Sequence, residues 1–322
     1  MLDLTDRHAR RFLRCLSRRA RLYTEMITTG ALLFGDTNRF LAFDPSEHPV
    51  ALQLGGSEPQ DLARCARLAA DAGYDEVNLN VGCPSDRVQN GRFGACLMAE
   101  PARVAEGVAA MRAASSLPVT VKTRIGIDRD ESPERLYTLV EAIAAAGCET
   151  VIVHARNAWL DGLSPKENRE IPPLRYEVVH ALKRARPELN IVINGGITTL
   201  DACEAQLAHV DGVMLGREAY YNPWILAGVD ERLYGEAPGV KSRGDAVRAY
   251  LPYVRKEVEA GTPLQAITRH LLALALGLPG ARAWRRTLSE EARLPGAGAD
   301  LLEAALERLE SAALPPREVA AA

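Results

Sequence analysis

Seven short apolar runs recur through the first two thirds of the chain, and nearly every one closes on a polar side chain. They cover residues 21–25, 50–54, 76–80, 119–122, 151–154, 191–194 and 212–216. Runs of this length, rich in Val, Ile and Leu, read as strands. Between them lie Ala-rich stretches with helical periodicity, at 59–73, 101–115, 133–147 and 199–208. A strand-helix alternation implies a parallel sheet with helices outside it. Seven such units in succession predict an α/β fold of the (β/α)8 (TIM) barrel type more than an open sheet.

An eighth strand is needed to close such a barrel, and the chain opens directly on Met1-Leu2-Asp3-Leu4-Thr5-Asp6. The expectation is that the first strand is missing and belongs upstream of Met1. A sheet open at that seam would expose two edges. After residue 237 the pattern changes: 242–259, 263–276 and 299–312 read as helices with no strand between them. The expected organisation is a barrel domain over 1–237, a helical domain over 238–314 and a frayed tail over 315–322.

The polar closing residues carry the chemistry. They are Glu25, Gln53, Asn78 with Asn80, Lys122 with Arg124, His154 with Arg156, Asn194, and Arg217. Barrel enzymes build their active sites at the C-terminal ends of the strands. One such residue could be a satisfied core polar group; the same feature on seven strands argues for a shared site.

Asn194-Gly195-Gly196 closes one strand and Gly216-Arg217 the next. Bare glycine backbones let N–H groups approach a phosphate, and the arginine adds charge. Counted with the missing strand, these follow strands seven and eight, where barrels commonly hold phosphate. Lys122 and His154 at strand ends suit an anionic ring or phosphate, such as flavin mononucleotide (FMN). No G-x-G-x-x-G or P-loop segment is present.

Two thiols compete for a catalytic role. Cys83 follows a strand in Asn80-Val81-Gly82-Cys83-Pro84, where the proline ends the run and amides lie close by. Cys96, in Gly94-Ala95-Cys96-Leu97, is expected at a helix start and could equally be a small buried hydrophobe. Cys83 is the preferred candidate.

The 322 residues are 47% hydrophobic and 25% charged, enough for a large core. A net charge of −3 excludes a polyanion binder over its whole surface. Positive charge is nevertheless clustered. Arg7, Arg10, Arg11, Arg14, Arg18, Arg19 and Arg21 crowd the start, and Arg282, Arg285 and Arg286 crowd a later segment. Such patches bind phosphates or are simply solvated helix faces. The first also has the make-up of a transit peptide, but 7–21 reads as an ordinary first helix. The six cysteines form no C-x-x-C or zinc-spaced set, so a reduced, cytoplasmic protein without structural metal is expected. No apolar run approaches the ~18 residues of a membrane span. The loop 156–173 is long and polar, holds Trp159, Lys166, Glu167, Asn168 and Arg169, and is expected to overhang the barrel mouth; its basic and aromatic members fit contact with a polynucleotide, the alternative being a solvated loop with Trp159 packed beneath it.

These residues resemble a known family. Asn78-Leu79-Asn80-Val81-Gly82-Cys83-Pro84-Ser85 and Gly91-Arg92-Phe93-Gly94-Ala95 are similar to the signature of tRNA-dihydrouridine synthases. Val121-Lys122-Thr123-Arg124, Val153-His154-Ala155-Arg156, Asn194-Gly195-Gly196 and Gly216-Arg217 match the same family in order. The stretches from Gly162 to Arg169 and from Pro279 to Arg286 resemble its A-type subfamily. The resemblance implies an FMN-dependent oxidoreductase with NADPH (or NADH) as reductant and tRNA as partner, acting on D-loop uridines 20 and 20a. It implies FMN contacts from Gln53, Lys122, His154, Asn194, Gly195, Gly196, Gly216 and Arg217. Asn80 would meet the target nucleotide, and Lys166, Arg169, Arg282 and Arg285 the tRNA. The implied reaction delivers hydride to C6 of uracil while Cys83 protonates C5. A thiol suits that role because its ordinary pKa of about 8.5 leaves the proton in place near neutrality. The family opens on a strand ending Ala-Pro-Met; here Met1 takes the place of that Met. Two other readings remain: a flavin barrel acting on a small substrate, like dihydroorotate dehydrogenase, and a non-catalytic RNA-binding protein.

Overall fold

A computed structural model describes residues 1–130 and 132–313; the expected tail over 315–322 lies outside the described residues. The seven expected strands form as β1 (Leu22–Thr28), β2 (Val50–Gly55), β3 (Glu76–Val81), β4 (Val119–Arg124), β5 (Thr150–His154), β6 (Asn190–Asn194) and β7 (Gly212–Met214). They make one sheet in the order β1-β2-β3-β4-β5-β6-β7, and every pair is parallel. A doubly wound sheet reverses direction at a switch point. Seven strands in unbroken sequential order are instead the winding of a (β/α) barrel.

Burial follows this order. Every residue of β2 is buried, whereas the three residues of β7, at one end of the order, are all half-exposed. Side chains alternate along each strand. Val77, Leu79 and Val81 take one face of β3, and Glu76, Asn78 and Asn80 the other. One correction falls on β1, which runs three residues past Glu25 to Thr28. Glu25 is therefore mid-strand and does not mark its C-terminal end.

The crossover helices start where Pro occupies the first turn, at Pro59–Asp71 and Pro101–Ala114. Their buried stripes, Leu62, Cys65, Ala66, Ala69 and Val104, Gly107, Val108, Met111, keep helical spacing. The two helices pack closely at Gly107, where a methyl group would sit 2.8 Å from Leu62 Cδ1.

The chain gathers into two compact units with boundaries other than 237/238. One is Met1–Asp3 with Arg21–Gly216; the other is Leu4–Ala20 with the described residues from Arg217 onward. The first helix, Arg7–Leu16, thus belongs to the helical unit. Its apolar face explains this. Phe12 meets Tyr250 edge-on at 5.4 Å, and Tyr250 Oη donates to the His8 carbonyl at 2.8 Å. Arg7 pairs with Glu257 at 2.6 Å. Fully buried Asp230 accepts from Ser17 Oγ at 2.5 Å and from the Arg18 N–H at 2.8 Å.

The arginine cluster at the start is consequently no open phosphate patch. Arg10 and Arg14 are buried, and Arg14 donates to the carbonyls of Ser17 and Ala20, both at 2.7 Å. Arg18 and Arg19 face Asp230 and Glu236, and Arg21 pairs with Glu76 in the barrel unit. Further on, Arg243–Glu259 and Ala299–Ala313 match expectation, and Ala281–Ser289 adds a helix. The expected helix over 263–276 is α-helical only as Leu264–Thr268. Beyond it the bonds tighten to three-residue turns, and the Leu271 carbonyl accepts from Trp284 Nε1 at 2.9 Å. Among the described residues no helix is long and apolar enough to cross a membrane.

Candidate active site

Register brings the polar strand ends together. Gln53 lies opposite Asn78, Asn80 opposite Lys122, Arg124 opposite His154, and His154 opposite Asn194. Neighbouring strands are about 4.8 Å apart, and barrel strands are staggered. Side chains distant in sequence thus form one row across five strands.

The first half of the row is a chain of amides. Asn80 Nδ2 donates to Gln53 Oε1 at 3.0 Å, and Gln53 Nε2 donates to Asn78 Oδ1 at 2.9 Å. Asn78 Nδ2 donates to Thr120 Oγ1 at 2.8 Å, which donates to Glu76 Oε1 at 2.6 Å. Tyr23 Oη, at 2.9 Å, and Arg21 complete the shell of Glu76. Gln53, Asn78, Thr120 and Glu76 are all buried. A buried network is stabilising only when satisfied, and here each member is paired.

The loop after β3 is held from every side. Asn80 Oδ1 accepts from the Gly82 N–H at 3.1 Å and the Cys83 N–H at 3.0 Å. The Gly82 carbonyl accepts from Arg124 Nε at 3.1 Å, and the Cys83 carbonyl from the Ala95 N–H at 2.9 Å. The Pro84 carbonyl accepts from Gln89 Nε2 at 2.9 Å. Gly94, at φ +76°, must be glycine, since a Cβ there would lie 2.6 Å from the Cys83 oxygen. Every backbone donor and acceptor of Gly82–Cys83–Pro84 is thus engaged. The half-exposed Cys83 thiol projects from this frame, with Ser85 Oγ 3.6 Å from its sulfur. Cys96 lies within a 3₁₀ turn, Gly94–Ala99, not at the start of an α-helix. Its sulfur donates to the Phe93 carbonyl at 3.1 Å, and burial raises its pKa.

The second half of the row is cationic. Burial around the Lys122 ammonium lowers its pKa to about 8, with Arg124 adding repulsion. Burial likewise lowers Arg124 to about 10. Both are favoured by negative charge on Cys83. A thiolate at Cys83 would therefore stand in the field of two cations. His154 is buried, and its pKa falls well below the usual value through burial and then through Arg124 and Lys122. Its ring is neutral near pH 7, with one donor and one acceptor nitrogen.

Lys122 Nζ donates to Asn194 Oδ1 at 3.2 Å, and Asn194 Nδ2 to the Met214 carbonyl at 2.6 Å. Gly195 has φ +119°, and a Cβ there would lie 2.8 Å from His154 Cδ2. Gly196 has φ +67° and is exposed. Gly216 is near Asn194 as well, 3.9 Å separating Asn194 Nδ2 from a Cβ built there. Arg217 opens the second segment of the helical unit.

The loop over 156–173 is built around Asn168, which is fully buried. Its amide accepts from the Trp159 N–H at 2.8 Å and donates to the Trp159 carbonyl at 2.9 Å. Its own carbonyl accepts from Arg124 at 2.9 Å. Trp159 is half-exposed with Arg129 over its ring at 4.8 Å, while Lys166 and Arg169 are exposed. In the helical unit, Arg282, Arg285 and Arg286 line the exposed face of Ala281–Ser289, opposite buried Trp284, Thr287 and Leu288.

Sequence reasoning undervalued Arg124, Gln89 and Asn168. Arg124 shares a strand face with Lys122, two positions away, which is a readable signal. Nothing in the sequence marks Asn168 or Gln89 among other polar loop residues.

The residues suit FMN. Gly195 lies where no side chain fits, Gly196 is bare and exposed, Lys122 has donors beyond its bond to Asn194, and an amide row lies beside them. These offer cation and N–H groups to a phosphate and hydrogen bonds to a heterocycle edge.

Comparison with known proteins agrees. The chain is 58% identical over 311 residues to a tRNA-dihydrouridine(20/20a) synthase of Shewanella oneidensis, covering 97% of this chain and 92% of that protein. Proteins of the same name from Pseudomonas putida and Escherichia coli are 60% identical over 291 residues and 58% over 308. Those alignments cover 90% and 95% of this chain and 87% and 93% of the relatives. The dihydrouridine synthase (Dus) family model matches residues 1–310. The chain belongs to the dihydrouridine synthase family.

Proposed function

We propose that this chain is a tRNA-dihydrouridine synthase that reduces uridines 20 and 20a of the tRNA D-loop, with Cys83 as the acid. The observation that carries the reading is the Cys83 frame: a thiol on a fully bonded loop, beside a row of amides and cations. Family membership makes FMN the cofactor and NADPH the reductant. Bound and reduced, FMN supplies hydride to the C5–C6 double bond of uracil.

The chain's own residues do the rest. Gln53, Lys122, His154, Asn194, Gly195, Gly196, Gly216 and Arg217 hold the cofactor. Asn80 keeps one amide proton beyond its bond to Gln53 and offers it to the uracil edge. Cys83 gives its proton to C5, and Lys122 and Arg124 stabilise the thiolate that remains. The target base must leave its stack to reach a barrel mouth. Lys166 and Arg169 in one unit, and Arg282 and Arg285 in the other, hold tRNA phosphates. The row of exposed arginines on Ala281–Ser289 supports tRNA over a small substrate. A cytoplasmic location, beside its tRNA, completes the reading.

The test is Cys83→Ala with FMN-loaded protein. Dihydrouridine formation is expected to stop while NADPH still bleaches the flavin. Normal modification by the variant would assign the acid elsewhere. NADPH turnover by the parent protein without tRNA would favour a small substrate.

A further inference from the structure

Gln89 lies six residues past Cys83 in the short helix Asp86–Asn90. Its amide nitrogen donates twice, to the Pro84 carbonyl at 2.9 Å and to the Leu160 carbonyl at 2.7 Å. One acceptor adjoins the thiol residue. The other belongs to the loop that carries Lys166 and Arg169. An amide nitrogen has two protons, so both bonds form at once.

Arg124 makes a second tie between the same two loops. Its Nε donates to the Gly82 carbonyl, and its Nη1 to the Asn157 carbonyl at 3.2 Å and the Asn168 carbonyl at 2.9 Å. The far loop has bonds of its own where it is gripped. The Leu160 N–H donates to Asp128 Oδ1 at 2.8 Å, and the Ala158 backbone pairs with Ile127. Asn168 fixes both backbone groups of Trp159. A displacement of this loop therefore reaches Pro84 through Gln89 and Gly82 through Arg124. Arg124 also shares a charge field with Cys83, so its substitution would confound position with electrostatics. Gln89 has no charge and offers the cleaner handle.

We propose that Gln89 is a positioning residue that locks the Cys83 loop to the loop over 156–173, so that the thiol is set for proton transfer by the same loop that meets tRNA. This rests on the proposed function for its last step and on geometry alone for the lock. Misplacing a reacting group by about 1 Å can cost roughly a hundredfold in rate.

The test uses the FMN-loaded full chain with Gln89→Met, of equal length without donors, and Gln89→Leu, shorter and likewise without donors or charge. Under single turnover with prereduced enzyme and saturating tRNA, both are expected to lose roughly ten- to a hundredfold in rate. The half-saturating tRNA concentration stays within about twofold of the parent, because Gln89 itself binds no tRNA. Alkylation of Cys83 by iodoacetamide, without tRNA, rises several-fold in both, while flavin reduction by NADPH is unchanged. A rise in half-saturating tRNA with the rate intact would overturn the proposal, as would alkylation and rate both at parent values. If Gln89→Met does not fold, Gln89→Leu and Gln89→Asn, whose shorter amide cannot span both carbonyls, carry the same readouts. A parent protein inactive on tRNA would sink the proposed function, yet the alkylation comparison would still decide whether the lock exists.

Discussion

Asn78 is the centre of the buried amide chain, and replacing it should damage stability more than its size suggests. It is fully buried, accepts from Gln53 Nε2 and donates to Thr120 Oγ1. Asn78→Leu keeps the branched outline of four side-chain heavy atoms, though leucine is bulkier and adds some overpacking. It leaves a Gln53 proton and a Thr120 lone pair facing hydrocarbon. Each buried orphan costs about 1–3 kcal/mol. Leucine recovers some of this through apolar burial, so the expected loss is about 2–4 kcal/mol. Thr120→Val removes the next link and is expected to lose about 1–3 kcal/mol, since Asn78 Nδ2 is orphaned while Glu76 keeps Tyr23. The two residues share one bond, so the double variant should fall short of the sum by about 1 kcal/mol. Urea denaturation read as a shift in midpoint at constant m-value measures all three. Losses under about 0.5 kcal/mol for both single variants, or strict additivity, would refute the view that this chain acts as one network.

Gly195→Ala puts a β-carbon 2.8 Å from buried His154 at a φ that L-residues avoid; a loss of about 1–3 kcal/mol is expected from backbone strain alone, with less FMN retained on purification. Unchanged flavin content and midpoint would contradict it. Lys122 titrates near pH 8 when folded and near its ordinary 10.5 when unfolded. From about pH 8 to 10.5 the unfolded chain therefore binds more protons, and stability gains from this group as pH rises. Lys122→Met should lose that gain, so that parallel midpoint-versus-pH curves in parent and variant would disprove the assignment. Arg282→Ala with Arg285→Ala should weaken tRNA binding and reduce the slope of log affinity against log salt by about 1–2. An unaltered slope would remove this helix face from the interface.

Much of the catalytic half of the molecule was legible in the chain. Strands announce themselves through local apolar runs, and sequential parallel order follows from their alternation with helices. A barrel then forces strand ends to a common mouth, so the sequence alone groups Gln53, Asn80, Lys122, His154 and Asn194. Local pattern was less informative about partners. The arginines from Arg7 to Arg19 read as a basic patch because a sequence displays charge without showing Glu257 or Asp230, more than two hundred residues away.

The sequence by itself determined which segments are strands, which thiol follows a strand, and which glycines follow strand ends, because these depend on neighbours within a few residues. Only the tertiary structure decided that the first helix packs with the last ones, that Asn168 is a buried knot, and that Gln89 and Arg124 tie two loops together. A side chain's capacity to donate a hydrogen bond is written in its chemistry, whereas the acceptor it finds depends on which distant carbonyls the fold brings within about 3 Å.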